Sequence, residues 1–539
     1  MNKFFPLLQA ILLTTGVTFW QILFEFPEAA DTYFVMNLGR YVLEHGFPYV
    51  DPFTIHENLQ LVAQQWLSGI VFLEIYQSFG INGLLFTDAI IGAAMVLIHW
   101  RLCLYVSDRN ETLSFVLSLI VGLLVMTSIV PRPHLFSTIF LLIEVFLLEK
   151  FTRTKDFKFL LPLPLLSVLL INLQAAMWLM LLVVCLPFLF VEDSRHVKFL
   201  LAAMGGIFLF GLINPYGVDA MTYVFRSYGV SVISENVREM STPSAHSVFG
   251  KGFYLLEALV VLSLAKFKVP WRYIFLSGGI TFMAIMNLRS VILFAFLATF
   301  PIAFAWKNFT IKKFSGRALP TILFLLLVTI NTVLIVTLLN GGLAKISLPP
   351  KILFFVSTLF ALYNLLGLRV KKSLFHPTIL PRKILSLLVT AIFISGIYLT
   401  TLTGDKTPPD GNFTTAMKIL LRSERPENIS LYVPQGYGGL AGHFGIRYYI
   451  DARSEVFIRA NNGQKDILQE YVDLRDGTLY YKDFFRRYDF THIILTNETP
   501  FLFNQLSDDK NFRVIYESER VEGYKVIRCK IFVPPKNEE

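Results

Sequence analysis

Cysteine is scarce in this 539-residue chain. There are three in all: Cys103 and Cys185 sit in apolar segments, and Cys529 stands alone near the C-terminus. That excludes a disulfide framework and a zinc site built on paired cysteines. Charge is scarce as well. Asp, Glu, Lys and Arg make up 16% of the residues, against roughly a quarter in ordinary soluble domains. No periodic repeat and no low-complexity tract stands out. Met1 to Phe24 has a thin charged start, a long apolar run and no small-residue cleavage site, so it reads as a first spanning helix rather than a removable signal.

Apolar residues are abundant, 54% of the chain. They come in blocks such as 7–24, 326–339 and 354–368, not in amphipathic stripes. Blocks of about 17–25 residues match a hydrocarbon layer ~30 Å thick. The sequence therefore predicts a polytopic α-helical membrane protein. The formal charge of +9 follows from topology and implies no nucleic-acid partner, because Lys and Arg cluster in short connections. These clusters are Arg101/Arg109, Lys150/Arg153/Lys155/Lys158, Arg195/Lys198, Lys266/Lys268/Arg272, Lys307/Lys312/Lys313/Arg317 and Arg369/Lys371/Lys372/Arg382/Lys383. Placed in the cytoplasm, they leave Pro131–His134, Asn172–Gln174, Asn214–Gly250, Asn287–Arg289 and Asn340–Pro350 as outer hairpin tips. Loop 25–65, with six carboxylates and Arg40 as its one basic residue, falls outside too. Residues 66–79 are short and interrupted by Glu74. They read as a segment in the outer interface, with 84–105 as the next span. The expectation is about 13 crossings over residues 1–403, N-terminus inside, then a linker over 404–412. A soluble extracytoplasmic α/β domain follows over 413–539. Strand-like runs there are ISLYVP, RYYIDA, THIILT, RVIYES and YKVIRCKIFV; helix-like stretches lie around 413–423, 464–473 and 499–507.

Charges at membrane depth are costly, so where this chain keeps polar residues is informative. With this topology they gather at the outer ends: Glu28, Asp31, Asp51, His56, Gln65, Arg132, His134, Asn172, Gln174, Asn214, Tyr216, Glu235, Glu239, His246, Asn287 and Arg289. A one-sided collection predicts a cavity at the outer leaflet. The midplane portions of the spans read as almost purely apolar, which disfavours a transporter.

Asp31 follows the first span directly, with helical spacing from Thr32 to His45. It is either the N-cap of an interfacial helix or a carboxylate set where a membrane-borne headgroup would lie. Asp51 before Pro52 either starts a turn or contacts substrate. Arg132 and His134 are either hairpin-tip residues at lipid headgroups or phosphate contacts. Arg289 is flanked by long apolar runs, and a cation there needs an anion, a protein carboxylate or a substrate phosphate. The 214–250 loop, with Tyr216, Glu235 and Glu239, reads as a helix stop with an amphipathic loop, or as further substrate contacts together with His56 and Gln174. In the soluble domain, Asp451 and Arg453 form either a structural ion pair at a strand end or an acceptor contact. Tyr437 and His443 are exposed-loop candidates for acceptor stacking, and Gly436/Gly438/Gly439 predict a tight strand-to-strand turn.

DTYFVMNLGRYVLEHGFPYVDPFT followed by QQWLSGIVFLEIY resembles the first outer loop of the GT-C membrane glycosyltransferases, which use polyprenyl- or dolichyl-phosphate-linked sugars. RPHLFS (132–137), NPYG (214–217) and Asn287-Leu288-Arg289 recur in order, and GYGGLAGHFGIRYYIDARSEVF (436–457) resembles a Gly-Gly, Asp-x-Arg stretch in a bacterial group of that superfamily. Oligosaccharyltransferase catalytic subunits share the 13-crossing plan. The chain departs from the group at Gln174-Ala175, where His-Gly is usual, and at Glu235-Asn236, where Glu-Trp is usual; the Asp-x-Asp signature of some relatives is absent. The resemblance implies Asp31 as general base or acceptor-orienting carboxylate. A polyprenyl-phosphate sugar is then the donor, and a glycan, lipid or protein the acceptor. Arg289 first, then Arg132 and His134, are expected to steady the departing phosphate. No cofactor is implied by ligand spacing; some relatives leave a divalent ion beside Asp31 open. The rival class is a non-catalytic membrane scaffold or a flippase for cell-surface polymers.

Overall fold

The computed structural model describes residues 9, 10, 13, 14, 27, 30–191, 193–226, 230–308, 411–522 and 525–535. The expected spans at 326–339 and 354–368, most of the first span at 7–24, the basic clusters from Lys312 onward, the tip Asn340–Pro350 and most of the linker 404–412 lie outside them.

Helix α1 (Asp31–His45) leads into the loop 46–65 and then into α2 (Trp66–Val106). At Gly80 the backbone of α2 turns to φ 65° and ψ −161°, a combination open to glycine. The break separates 66–79 from the segment that carries 84–105. Helices α3 (Glu111–Val125), α4 (His134–Thr154), α5 (Leu163–Leu173), α6 (Ser194–Gly211), α7 (Val248–Lys266) and α8 (Trp271–Met286) follow. The helical run α9 (Leu288–Ala305) comes next, with a π turn at Phe294–Ala298. Among the described residues, three helical stretches are long and apolar enough to cross a membrane: α2, Glu111–Ser128 and α9. The expected count of about 13 is not reached by these three, and the spans expected at 326–339 and 354–368 lie outside the described residues.

The bundle has two chemically distinct ends. At 1.5 Å per residue, the 21 residues of α4 separate them by about 30 Å. At one end Asp108 meets Arg153 at 3.4 Å and Lys307 at 3.0 Å, and Lys155 meets Asp193 at 3.4 Å. This end collects residues of the basic connections. Asp31, Arg132, Gln174, Glu239 and Arg289 lie at the other end, beneath the soluble domain. The bundle interior is less apolar than the sequence predicts. Glu144 is buried halfway along α4 with the Cys185 thiol donating to it at 3.3 Å, Asp88 is buried in α2, and His99 sits between Ser118 and Thr299. These are separate sites, each enclosed by helices.

Helices α1 and α2 cross in near backbone contact. A Cβ on Gly39 would lie 2.2 Å from the carbonyl carbon of Gly69, and one on Gly69 would lie 2.4 Å from the Val35 carbonyl oxygen. Small residues at such a crossing let helices approach closely. On the far side of α1 sits the soluble domain, a mixed five-stranded sheet in the order β2-β1-β3-β5-β4. Its strands are β1 (Ser430–Tyr432), β2 (Arg447–Tyr448), β3 (His492–Thr496), β4 (Arg513–Glu522) and β5 (Lys525–Val533). β1 is parallel to β2 and β3; β5 is antiparallel to β3 and β4. Helices α10 (Asn412–Ser423), α11 (Gly438–His443), α12 (Ile467–Asp476) and α13 (Pro500–Asp508) complete it. Four of the strands fall within a run that reads as a strand in the sequence, and β4 begins in RVIYES and extends past it to Glu522; short runs rich in β-branched and aromatic residues mark strands.

Gly436–Gly439 is not a strand-to-strand turn. It leads into α11, which packs on α1 through Gly439, where a Cβ would lie 3.0 Å from the Phe34 nitrogen; one on Gly438 would lie 2.1 Å from the Ile450 carbonyl oxygen, within the soluble domain itself. Asn37 of α1 donates to the Gly439 carbonyl at 2.9 Å. The loop 46–65 runs along the free edge of β2, where Thr54 bridges Tyr448 in parallel and the Ile55 amide donates to the Tyr448 carbonyl at 3.0 Å. Loop and sheet thus form one layer.

Candidate active site

Four charged side chains from four separate segments meet at the end of the bundle that bears the soluble domain. Asp31 is the first residue of α1; the N-cap is Ala30, which offers no side chain, so the N-cap reading of Asp31 does not hold. A carboxylate in the first turn is favoured by the helix dipole. Arg132 is carried between Pro131 and Pro133 at the start of α4. Glu239 lies in the turn Arg238–Met240. Arg289 lies in the turn Leu288–Ser290, capped by the Asn287 side chain accepting from the Ser290 amide at 3.0 Å. The Leu288 amide donates to the Ser241 carbonyl at 2.8 Å, tying this turn to the Glu239 loop.

The order of charges is acid, base, acid, base. Asp31 meets Arg132 at 3.1 Å, Arg132 also meets Glu239, and the other Glu239 oxygen meets Arg289 at 3.2 Å. The formal charges cancel. Arg289 is half exposed and is the most accessible of the four. Enclosure among the helix tips lifts the Asp31 carboxyl above its ordinary range, with the Arg132 guanidinium opposing that shift. About 30% of the Asp31 side chain still faces the cavity. Burial alone would raise Glu239 too, but the guanidiniums of Arg132 and Arg289 override it and hold its carboxyl down at about 2. Both carboxylates already face guanidiniums, surroundings that repel a divalent cation. Among the described residues no group of three His, Cys, Asp or Glu is placed to hold one. The residues present do not fit the ion left open beside Asp31.

Asp31, His134, Gln174, Arg289 and Arg453 line a cavity of about 120 Å³. The His134 ring meets the Ser128 carbonyl at 3.0 Å through Nε2, and Gln174 accepts from the Ser137 hydroxyl. The Gln174 tip is fixed from the outer loop, the Gln64 carbonyl accepting from the Ala175 amide at 2.9 Å.

Other candidates lie elsewhere. Asp51 is buried and accepts from Arg453, which also makes bonds of 2.6–3.0 Å to Asp451. The Tyr448 hydroxyl donates to Asp451 at 2.7 Å, and the Arg453 guanidinium stacks 4.2 Å from the Phe34 ring centre. This is the structural ion pair, extended to the first outer loop; Asp51 and Asp451 are closed off in it rather than open to substrate. His56 is buried against the Tyr449 carbonyl, 2.9 Å from Nε2. Tyr216 is buried too and donates to the Pro48 carbonyl at 2.8 Å. Both serve packing. Glu235 is exposed on the short helix Ser231–Asn236, outside the cavity wall. Tyr437 stacks on Phe413 at 3.5 Å between ring centres, and His443 packs against Tyr33 and Tyr76. They belong to the packing of α11, not to an exposed loop. Sequence reasoning missed Gln64, Tyr223 and Glu455, all on the cavity wall. The one signal for Glu455 is its place two residues after the Asp-x-Arg pair.

No family model matches the chain, and no curated protein does. Among solved structures the chain is similar to the oligosaccharyltransferase of Archaeoglobus fulgidus in its apo form, at 12% identity over 92% of this chain and 70% of that one, TM-score 0.50. The archaeal oligosaccharyltransferase AglB from Archaeoglobus fulgidus, in complex with an inhibitory peptide and a dolichol-phosphate, matches at 10% identity over 96% of this chain and 74% of that one, TM-score 0.45. ArnT from Cupriavidus metallidurans bound to undecaprenyl phosphate matches at 11% identity over 98% of each chain, TM-score 0.40. The likeness to the Archaeoglobus fulgidus oligosaccharyltransferase is one of fold, and it agrees with the fold that the motif resemblance implies.

Proposed function

We propose that this chain is a membrane glycosyltransferase that moves a sugar from a polyprenyl-phosphate-linked donor to an acceptor on the extracytoplasmic face. The observation that carries the reading is that Asp31 and Arg289 line one cavity at the end of the bundle that bears the soluble domain. The acceptor is a cell-surface glycan, lipid or protein.

In the proposed reaction an acceptor hydroxyl attacks the anomeric carbon. The bond from that carbon to the phosphate oxygen breaks, its electron pair leaves with the polyprenyl phosphate, and the acceptor proton passes to Asp31. Displacement on one face inverts the anomeric centre. A carboxyl lifted toward the working pH is the better base, and such proton transfer contributes roughly 10²–10⁴-fold. Arg289 supplies charge-assisted donors to the leaving phosphate. Arg132 holds Asp31 in place and acts on the phosphate through its neighbours.

The test is release of labelled lipid phosphate by the reconstituted protein from a panel of polyprenyl-phosphate sugars. Asp31→Asn is expected to lower release by at least 10²-fold at unchanged expression, and Arg289→Ala to weaken donor use. Full activity of Asp31→Asn removes that residue from the mechanism. Wild-type protein that releases nothing from any donor points to the scaffold class instead.

A further inference from the structure

One wall of the cavity belongs to the soluble domain and carries a carboxylate that the reaction above does not use. Glu455 sits in the turn Ser454–Phe457. Its Oε1 accepts from the buried Tyr223 hydroxyl at 2.7 Å, and its carbonyl accepts from Asn461 Nδ2 at 2.7 Å, an amide that also donates to the Arg226 carbonyl at 2.9 Å. Two residues upstream, Arg453 is locked between Asp451 and Asp51. The turn is held on both sides, so the carboxylate is fixed in place before any ligand arrives. Its Oε2 has no hydrogen bond or ion pair among the described residues.

The same cavity is lined by Gln64 and Gln174 from the outer loop and from the α5 tip. Each has its side-chain oxygen engaged, Gln64 by the Ala176 amide at 3.2 Å and Gln174 by Ser137. Their NH₂ groups are left for a ligand. The cavity thus offers an open carboxylate acceptor and two neutral amide donors, and the cation in the lining besides Arg289 is Arg453, which two carboxylates already neutralise. A phosphate is repelled by Glu455 and drawn to Arg289. A ring bearing neighbouring hydroxyls suits Glu455, Gln64 and Gln174, because a carboxylate accepts from hydroxyls in charge-assisted bonds and amides donate to ring and hydroxyl oxygens.

We infer that Glu455, with Gln64 and Gln174, forms a subsite for the hydroxyls of a sugar ring, so that the soluble domain reads the sugar while the bundle holds the phosphate. This rests on the glycosyl-transfer reading. The ring belongs to the donor or to the acceptor, and the chemistry is the same for both.

The test measures binding by the full chain in nanodiscs. The probes are bare undecaprenyl phosphate, undecaprenyl-phosphate hexoses of the gluco, galacto and manno series, and the corresponding methyl glycosides. Wild type is expected to hold at least one hexosyl lipid or glycoside by a margin that Glu455→Ala cuts by about 10-fold or more, with bare lipid phosphate held as before. E455Q keeps an acceptor for Tyr223 and guards against a folding defect; it is expected to lose most of the same margin. Loss confined to hexosyl lipid assigns the ring to the donor, and loss confined to glycoside assigns it to the acceptor. Margins unchanged in both variants overturn the subsite, as does a wild type that holds no ring better than bare lipid. Wild type that binds neither bare nor hexosyl lipid overturns the glycosyl-transfer reading itself.

Discussion

Asp31 and Glu239 are carboxylates in one cluster with opposite tendencies. Asp31 is lifted by enclosure, while Glu239 is held near 2 by two guanidiniums. Because Arg132 lowers the Asp31 carboxyl and Glu239 raises it, two substitutions move the acid limb of the pH–rate profile in opposite directions. Arg132→Gln is expected to shift that limb to higher pH, and Glu239→Gln to lower pH. If Asp31 is the base, activity is lost as pH falls through its raised value, so the limb of the wild type lies above the ordinary carboxylate range. Profiles of kcat/KM for the three proteins check this, and acid limbs that coincide in all of them rule Asp31 out as the titrating base. The sequence makes Asp31 and Arg289 stand out, since charge beside long apolar runs is costly. It does not show that Glu239 binds two arginines, because 107 residues separate Arg132 from Glu239 and no local pattern encodes that meeting.

Glycines govern how the elements seat. α1 is sandwiched between α2, at Gly39 and Gly69, and α11, at Gly439 and Gly442. Any side chain at Gly39 drives the two backbones apart and carries Asp31, eight residues earlier on the same helix, with it. Gly439→Ala places a Cβ 3.0 Å from the Phe34 nitrogen, and overpacking of this kind costs about 1–3 kcal/mol. Thermal unfolding of the purified protein measures it, and an unchanged melting temperature would mean that α11 does not seat on α1 as described. The strands of the soluble domain were legible because short β-branched and aromatic runs between turn residues are a local signal. The close approaches at Gly438, to Ile450, and at Gly439, to Phe34, were not, since a glycine pair looks the same whether it forms a turn or admits another backbone.

Across the whole molecule, bundle and soluble domain are held together by buried polar groups. Arg453 binds Asp51 and Asp451, and all three are at most 6% exposed. Removing one partner of such a network costs about 3–5 kcal/mol, because the others are left charged and buried. Arg453→Met is therefore expected to destabilise strongly, and Asp51→Asn in that background to recover part of the loss, as read by denaturation of the two variants. Burial pushes His56 and His443 down to about 4, with Arg40 adding to the effect at His443. Unfolded histidines titrate near 6.5, so between those values the unfolded chain binds the extra protons. Stability is full above about pH 6.5 and declines as pH falls toward 4. Melting temperatures across that window check the sign, and His56→Gln is expected to flatten the decline.

The pairing of Thr54 with Tyr448 also has a consequence for biosynthesis. A strand edge near the start of the polypeptide waits for its neighbour until nearly four hundred further residues have been translated, and closing so long a loop is slow. Asp31 rides on that same stretch. A ribosome-bound chain should thus stay chemically silent while most of its helices are already inserted, and competence should appear abruptly on release. Stalled chains ending near residue 411 are expected to release no lipid phosphate, and activity from them would show that Asp31 is set in place earlier than the late-arriving sheet allows.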